Sequence, residues 1–211
     1  MEEILYKLFT NTPAFRGEEH YWRRGTANDT IVFRDETNKR IQAEGFTLEI
    51  QQQILRWGGI HGFKQFDFVD ESINDIVDND LITLQTANAI SSYSKLFAFY
   101  NPNQYFILDA RVSYVFNKLI IENEIANYLP INFNIRRSRN NRLINNYREI
   151  MNTWMGGLVN IQDVYPSYCE FIIRVYNHFI EKDENIFTDR GFDKNCPEII
   201  EMFLFYMADH M

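Results

Sequence analysis

The chain has 211 residues, of which 45% are hydrophobic and 16% aromatic, and its formal net charge at pH 7 is −8. This composition excludes an intrinsically disordered chain. The negative charge argues against non-specific binding of a polyanion by the surface as a whole. The length suits one domain, or two lobes that share a core.

The cysteine content and the hydropathy of the chain indicate in which compartment the protein works and whether it binds a metal. The two cysteines, Cys169 and Cys196, fit no metal-ligand spacing, and so few thiols suggest a reducing compartment. No stretch approaches the roughly 20 apolar residues of a membrane span, and the acidic N-terminus is not typical of a signal peptide. We therefore expect a cytoplasmic protein with no membrane partner, no metal and no other cofactor.

In chain order, hydrophobic spacing and capping residues predict mainly helices. Residues 14–46 are mixed and turn-rich, and 31–33 is the best strand candidate there. Thr47 is a predicted N-cap, and Pro166 suits a first helical turn. The predicted helices cover residues 2–9, 47–57 and 81–99, and others begin near residues 109, 143, 166 and 197. The sequence therefore predicts a mostly α fold.

The clearest amphipathic helix begins at Asp109, directly after the apolar run 105–108. Its apolar residues recur at helical spacing and are Val112, Val115, Phe116, Leu119 and Ile120. An Asp at a helix start accepts backbone N–H bonds, and the helix dipole favours its charge. Capping alone explains this residue, but a fixed carboxylate can also stabilise a developing cation in a reaction.

The run 106–119 resembles a stretch of the helix-hairpin-helix DNA glycosylase superfamily. That superfamily opens a helix with roughly Asp-x-x-Val-x-x-Val-x-x-x-Leu, and Asp109, Val112, Val115 and Leu119 match its four positions. The resemblance covers about residues 81–120. It implies a mostly α, two-lobed domain over residues 1–211 with a cleft near Asp109. It also implies hydrolysis of a base–sugar bond, in which Asp109 stabilises the sugar cation and positions water.

This chain differs from that family in two features. The glycine-rich hairpin that grips DNA corresponds to residues 84–88, which contain no glycine. No lysine stands where strand-cutting members carry their nucleophile, since Lys95 lies 14 positions before Asp109. The resemblance therefore implies a monofunctional glycosylase. Lys95 is a candidate DNA contact, or else a solvated or acid-paired side chain.

Positive charge is concentrated after residue 125. Between residues 125 and 148 there are five arginines and no acid. Arginine forks match phosphate geometry, so this stretch is a candidate DNA-binding surface, or a solvated face that meets the chain's own acids. Arg111 either contacts a phosphate or pairs with an acid of a neighbouring loop. The candidate DNA contacts from these two regions are Arg111, Arg136, Arg137, Arg139 and Arg142.

A glycosylase must hold a base that has left the stack, and flat side chains do this. The candidate base-pocket residues are Tyr21, Trp22, Tyr93 and Tyr105. Trp57 has a suitable side chain as well, but its position before Gly58 and Gly59 favours the core.

The sequence thus favours a DNA glycosylase-like hydrolase that releases a modified base, with DNA as its partner. The alternative is a non-enzymatic helical module that binds nucleic acid or protein, in which Asp109 is only a cap. A third hypothesis, a toxin or regulator acting by protein contact, predicts an exposed apolar groove. An Asp109 carboxylate exposed in a cleft favours catalysis, whereas one turned wholly into its own helix favours the binding module.

Overall fold

The computed structural model describes residues 1–22, 25–61, 84–125, 127–133 and 140–211, without the side chains of residues 20–22, 84 and 85. These ranges are mostly helical, which confirms the predicted fold class. Their one named sheet is a hairpin of β1 (His20–Trp22) and β2 (Gly25–Thr26). Their α-helices are α1 (Glu2–Thr10), α2 (Ala27–Glu44), α3 (Leu48–Trp57), α4 (Leu84–Asn88), α5 (Ile90–Tyr100), α6 (Ala110–Glu122), α7 (Asn141–Thr153), α8 (Ile161–Lys182) and α9 (Glu198–Met207).

The predicted strand at residues 31–33 is wrong, because these residues lie inside the 18-residue helix α2. A capping box starts this helix: the Thr26 hydroxyl accepts the Asp29 N–H, and the Asp29 carboxylate accepts the Thr26 N–H. The buried face of α2 includes polar side chains, namely Thr30, Arg34 and Thr37. These polar residues interrupt an apolar stripe that consists only of Ala27, Ile31 and Ile41, so hydrophobic periodicity does not reveal the helix.

Of the other predicted helix boundaries, the structure confirms one and changes two. Thr47 caps α3 as predicted, because its hydroxyl accepts the Ile50 N–H. Pro166 does not begin a helix, because α8 starts five residues earlier, at Ile161. In the predicted helix 81–99, the described part contains α4 and α5, separated by a turn at Ala89.

The extended segment 105–108 joins α5 to α6 through the middle of the core, and all four of its residues are buried. The Tyr165 hydroxyl donates to the Phe106 carbonyl at 3.0 Å, and the Tyr168 hydroxyl donates to the Ile107 carbonyl at 2.9 Å. Buried backbone groups need such partners because water cannot reach them. Helix α8 therefore satisfies the carbonyls of this segment with two tyrosines.

The N–H groups of the same segment are satisfied from two other helices. The Ile107 N–H donates to Glu201 Oε2 at 2.8 Å. The Leu108 N–H donates to Ser94 Oγ at 3.1 Å. Side chains of α5, α8 and α9 thus hold this strand-like segment, which pairs with no strand in the ranges that the structure describes. These contacts fix the position at which α6 begins.

Glu201 also forms a buried ion pair with Arg34. The Arg34 Nη1 and Nη2 atoms lie 3.1 and 2.6 Å from the Glu201 carboxylate oxygens, and Arg34 is 0% exposed. Burial by itself would lower the pKa of Arg34, but the charge and hydrogen bonds of Glu201 outweigh it and raise the pKa. Burial raises the pKa of the neighbouring Glu198 carboxyl. The pair connects α2 to α9 in the interior.

Helix α7 is attached to α6 through a buried amide. The Asn117 side chain donates to the Ile131 carbonyl at 2.9 Å and accepts the Ile131 N–H at 2.7 Å. The Tyr147 hydroxyl of α7 donates to the same carbonyl at 3.0 Å. One backbone position therefore joins α6 and α7.

Both cysteines are buried free thiols, and burial raises the pKa of Cys169 to about 12. None of the helices in the described ranges is long and apolar enough to cross a membrane.

Replacing Arg34 with Met should lower the free energy of unfolding by about 3–5 kcal/mol, because Glu201 would keep a buried charge without its counter-ion. Urea titration followed by circular dichroism measures this change. The matched control is Arg40→Met in the same helix, since Arg40 pairs with Glu44 at the surface. The control should leave unfolding nearly unchanged. A similar small effect for both variants would contradict the structural role of the Arg34–Glu201 pair.

Candidate functional site

A cavity of about 240 Å³ lies beside the N-terminus of α6. Its lining comes from α2, the end of α3, α5, the segment before α6, the start of α6 and α9. The residues that line the cavity are Thr30, Arg34, Trp57, Gly58, Lys95, Ile107, Asp109, Arg111, Met202, Phe205 and Glu201.

Asp109 both caps α6 and lines this cavity. Its Oδ1 atom accepts the Arg111 N–H at 2.9 Å and the Val112 N–H at 3.2 Å, which confirms the predicted cap. The residue is half-buried, and no hydrogen bond to Oδ2 occurs within the described part of the chain. The carboxylate is therefore neither fully buried nor wholly turned into its own helix.

Arg111 is held against α9 and the residues that follow it. Its Nη1 atom lies 3.3 Å from the Asp209 carboxylate, and its guanidinium carbon lies 4.4 Å from the centroid of the Phe205 ring. This geometry matches the interpretation that Arg111 pairs with an acid of a neighbouring segment. The stacked guanidinium keeps a positive charge at the cavity wall.

Lys95 lies inside the cavity wall, with only 8% of the residue exposed. Its ammonium donates to the Ser91 carbonyl at 2.5 Å. A surface lysine that contacts phosphate would project into solvent, so this burial does not fit a simple backbone contact to DNA. The lysine and Asp109 instead line one cavity.

Apolar side chains complete the cavity. Trp57, at the end of α3, packs against Phe99 and Phe33 with ring centroids 5.2 and 5.9 Å away. Phe205 and Met202 project from α9. The lining thus combines a few charged groups with apolar and aromatic surface, as small-molecule sites commonly do.

Two of the predicted base-pocket residues lie elsewhere. Tyr93 and Tyr105 are 2% and 3% exposed, and their rings pack beside Phe97 in the core. Neither lines the cavity. The side chains of the other two candidates, Tyr21 and Trp22, lie outside the described residues.

The predicted basic surface is described only at its end. Arg136, Arg137 and Arg139 fall outside the described residues. Arg142 is exposed in the first turn of α7, which Asn140 caps. Arg142 is thus available to a phosphate.

Of the eleven lining residues, Asp109, Arg111 and Lys95 were candidates from the sequence, and Trp57 was considered for the base pocket but favoured as a core residue. The other seven, which include Arg34, Glu201 and Phe205, were not candidates. Arg34 and Glu201 are 167 positions apart in the chain. No local motif predicts that contact.

No group of three or more His, Cys, Asp or Glu residues suited to a metal ion occurs in the parts of the chain that the structure describes. The charged lining of the cavity instead consists of three cations and two carboxylates, and one pair of these, Arg34 and Glu201, neutralises itself.

Asp109→Ala should lower the free energy of unfolding by about 1 kcal/mol through loss of the cap, whereas Asp109→Asn should cost less because Asn caps equally well. Thermal or urea unfolding of both variants tests this. The comparison variant is Thr47→Ala, which removes the cap of α3 outside the cavity lining. Equal stability of Asp109→Ala and the parent would contradict the capping role.

The resemblance to helix-hairpin-helix glycosylases rests on the sequence around Asp109. The cavity supplies an independent observation about the same residue. In comparisons with protein-family models, curated proteins and solved structures, nothing matches this chain.

Proposed function

We propose that this protein is a DNA N-glycosylase that hydrolyses the bond between a modified base and its deoxyribose, with Asp109 as the essential carboxylate. The observation that carries the proposal is the position of Asp109. The residue is fixed by two backbone N–H bonds through one oxygen, and it lines a cavity beside other charged groups.

The chemistry requires a fixed negative charge near the sugar. Breaking the C1′–N bond sends its electron pair to the base and leaves an oxocarbenium-like sugar. A preorganised carboxylate stabilises that cation without reorganisation during the reaction. Water then adds to C1′, so the products are the free base, which carries one proton of the water, and an abasic sugar with a C1′ hydroxyl. Asp109 is suited to orienting this water and accepting its proton.

The size and lining of the cavity support a single ring system as its occupant. Its volume of about 240 Å³ is below the range of roughly 300–1,000 Å³ that drug-sized ligands occupy. Trp57 and Phe205 offer flat apolar surfaces, and an extruded base is commonly held by such side chains. These two residues replace Tyr93 and Tyr105 as our candidates for contact with the base.

The rival function is a helical module that binds nucleic acid or protein without catalysis. The observation that favours it is the cap itself, because Oδ1 of Asp109 already has a structural task. The two functions differ in what the charge of Asp109 does. A cap needs only an acceptor oxygen, whereas catalysis needs the carboxylate charge.

The substitution Asp109→Asn therefore distinguishes the glycosylase from the binding module. It keeps the cap and removes the charge, so we expect a folded protein whose release of free base falls by at least 100-fold. The assay incubates duplex DNA carrying deaminated, oxidised or methylated bases with each variant and quantifies the released base by mass spectrometry.

The control in this assay is Asn140→Ala, which weakens the cap of α7 and leaves the cavity lining intact. It should release base at the parental rate. Equal activity of Asp109→Asn and the parent would remove the catalytic role of Asp109. A parent that releases no base from any substrate would favour the binding module.

Arg142→Gln should weaken DNA binding and reduce the slope of log K against log salt by about 1, because one phosphate contact is lost. Fluorescence anisotropy between 50 and 300 mM salt measures the slope. Arg174→Gln is the control, since Arg174 is half-exposed on α8 and pairs with Glu2 of α1. An unchanged slope for Arg142→Gln would place the DNA-binding surface elsewhere.

A further inference from the structure

Glu198 is a buried carboxyl that the proposed reaction does not use. It is the first residue of α9, and only 1% of it is exposed. Its Oε1 atom is buried and has no hydrogen-bond partner within the described part of the chain. A buried acceptor without a partner is costly, and a buried charge without a partner costs more. The surroundings of Glu198 therefore favour its neutral form.

Arg34 carries a donor that complements this acceptor. The Nη1 and Nη2 atoms of Arg34 donate to the Glu201 carboxylate, whereas its buried Nε atom has no partner among the described residues. The positive charge of Arg34 acts on Glu198 and favours its ionised form. One guanidinium therefore interacts with two carboxyls, and it has one donor left for the second.

The other titratable groups that act on Glu198 or respond to it come from α2, α8, α9 and the turn before α9. They are Asp35, Tyr176, Lys194, Cys196 and Glu201. Lys194 already donates to both Asp35 oxygens, at 2.9 and 2.7 Å. Burial is the largest influence on Glu198 and raises its pKa above the ordinary value of 4.5, although Arg34 and Lys194 act in the opposite direction.

We propose that Glu198 is a pH-sensitive switch, which on losing its proton attracts the Arg34 guanidinium away from Glu201 and weakens the hydrogen bond between Glu201 and the Ile107 N–H. The proton goes to solvent, and no other covalent bond changes. This inference does not depend on the proposed glycosylase function, because it concerns proton binding and a rearrangement inside the core.

The chain of contacts leads from Glu198 to the cavity. Arg34 and Glu201 both line the cavity, whereas Glu198 does not. The Glu201 carboxylate accepts the Ile107 N–H at 2.8 Å, two residues before the cap of α6. When Glu198 is neutral, Arg34 binds Glu201 alone, which is the arrangement in this structure. When Glu198 is charged, two carboxylates compete for one guanidinium, and Glu201 loses part of the constraint that orients it.

The switch also makes stability depend on pH. Because the pKa of Glu198 is raised in the folded state, its contribution to stability is fully present below pH 4.5 and is lost as the pH rises through the raised pKa. Glu198→Gln keeps the size and stays neutral, so its free energy of unfolding should rise relative to that of the parent across this window. Urea titrations at a series of pH values measure the difference. The control, Glu36→Gln on the exposed face of α2, should differ from the parent by a constant amount.

The direct test follows two NMR signals of the parent from about pH 4 to pH 8, the side-chain carboxyl carbon of Glu198 and the amide proton of Ile107. We expect the carboxyl to titrate with a midpoint above 4.5. The Ile107 amide proton should move upfield with the same midpoint, because a weaker hydrogen bond deshields the proton less. In Glu198→Gln this pH dependence of the Ile107 signal should be lost.

Three results would overturn the inference. They are a Glu198 midpoint at or below 4.5, an Ile107 signal in the parent that does not follow this midpoint, and the same pH dependence of Ile107 in Glu198→Gln. The titration of the parent needs no variant, so it decides the matter even if Glu198→Gln does not fold. Release of free base is not part of the measurement, so a failure of the glycosylase function would leave the result unchanged.

Discussion

The buried Glu201 carboxylate joins three elements of the core. It accepts two hydrogen bonds from Arg34 of α2 and a third from the Ile107 N–H, all inside the core. A buried carboxylate is stable only when its charge and lone pairs are matched, so these three bonds constrain one another. The carboxylate thereby fixes α2, α9 and the segment before α6 in one arrangement.

That arrangement determines where Asp109 lies. The segment 105–108 is pinned by side chains of α5, α8 and α9, so the first turn of α6 has a defined position and direction. The cap then orients the Asp109 carboxylate through Oδ1. A site built on such a constrained turn needs little reorganisation when charge develops next to it, which is the basis of electrostatic catalysis.

The charged groups that line the cavity differ in their ion-pair partners. The Arg34–Glu201 pair is internal and neutral, and Arg111 is paired with Asp209. Lys95 and Asp109 both line the cavity, and their chain neighbours Ser94 and Leu108 are hydrogen-bonded to each other. In the proposed reaction the sugar becomes positive, and Asp109 carries the opposite charge.

Local signals in the sequence were sufficient for two of the caps and for the amphipathic helix α6, whereas the capping box of α2 and the Asn140 cap of α7 were not predicted. Asp109 and Thr47 were predicted as caps because capping depends on residues within one turn. Helix α2 was missed because its inward face is polar, and Arg34 has its partner 167 positions away. Lys95 was considered a DNA contact, or a solvated or acid-paired side chain, because its burial depends on tertiary packing that the sequence does not show.

The central claim is that the charge of Asp109 stabilises a sugar cation in the cavity. Its most direct test is the affinity for duplex DNA containing a cationic pyrrolidine in place of one sugar, compared with the neutral tetrahydrofuran analogue. We expect the parent to bind the pyrrolidine duplex at least 10-fold more tightly, and Asp109→Asn to bind both duplexes equally. A preference for the cation that persists in Asp109→Asn, or no preference in the parent, would contradict it.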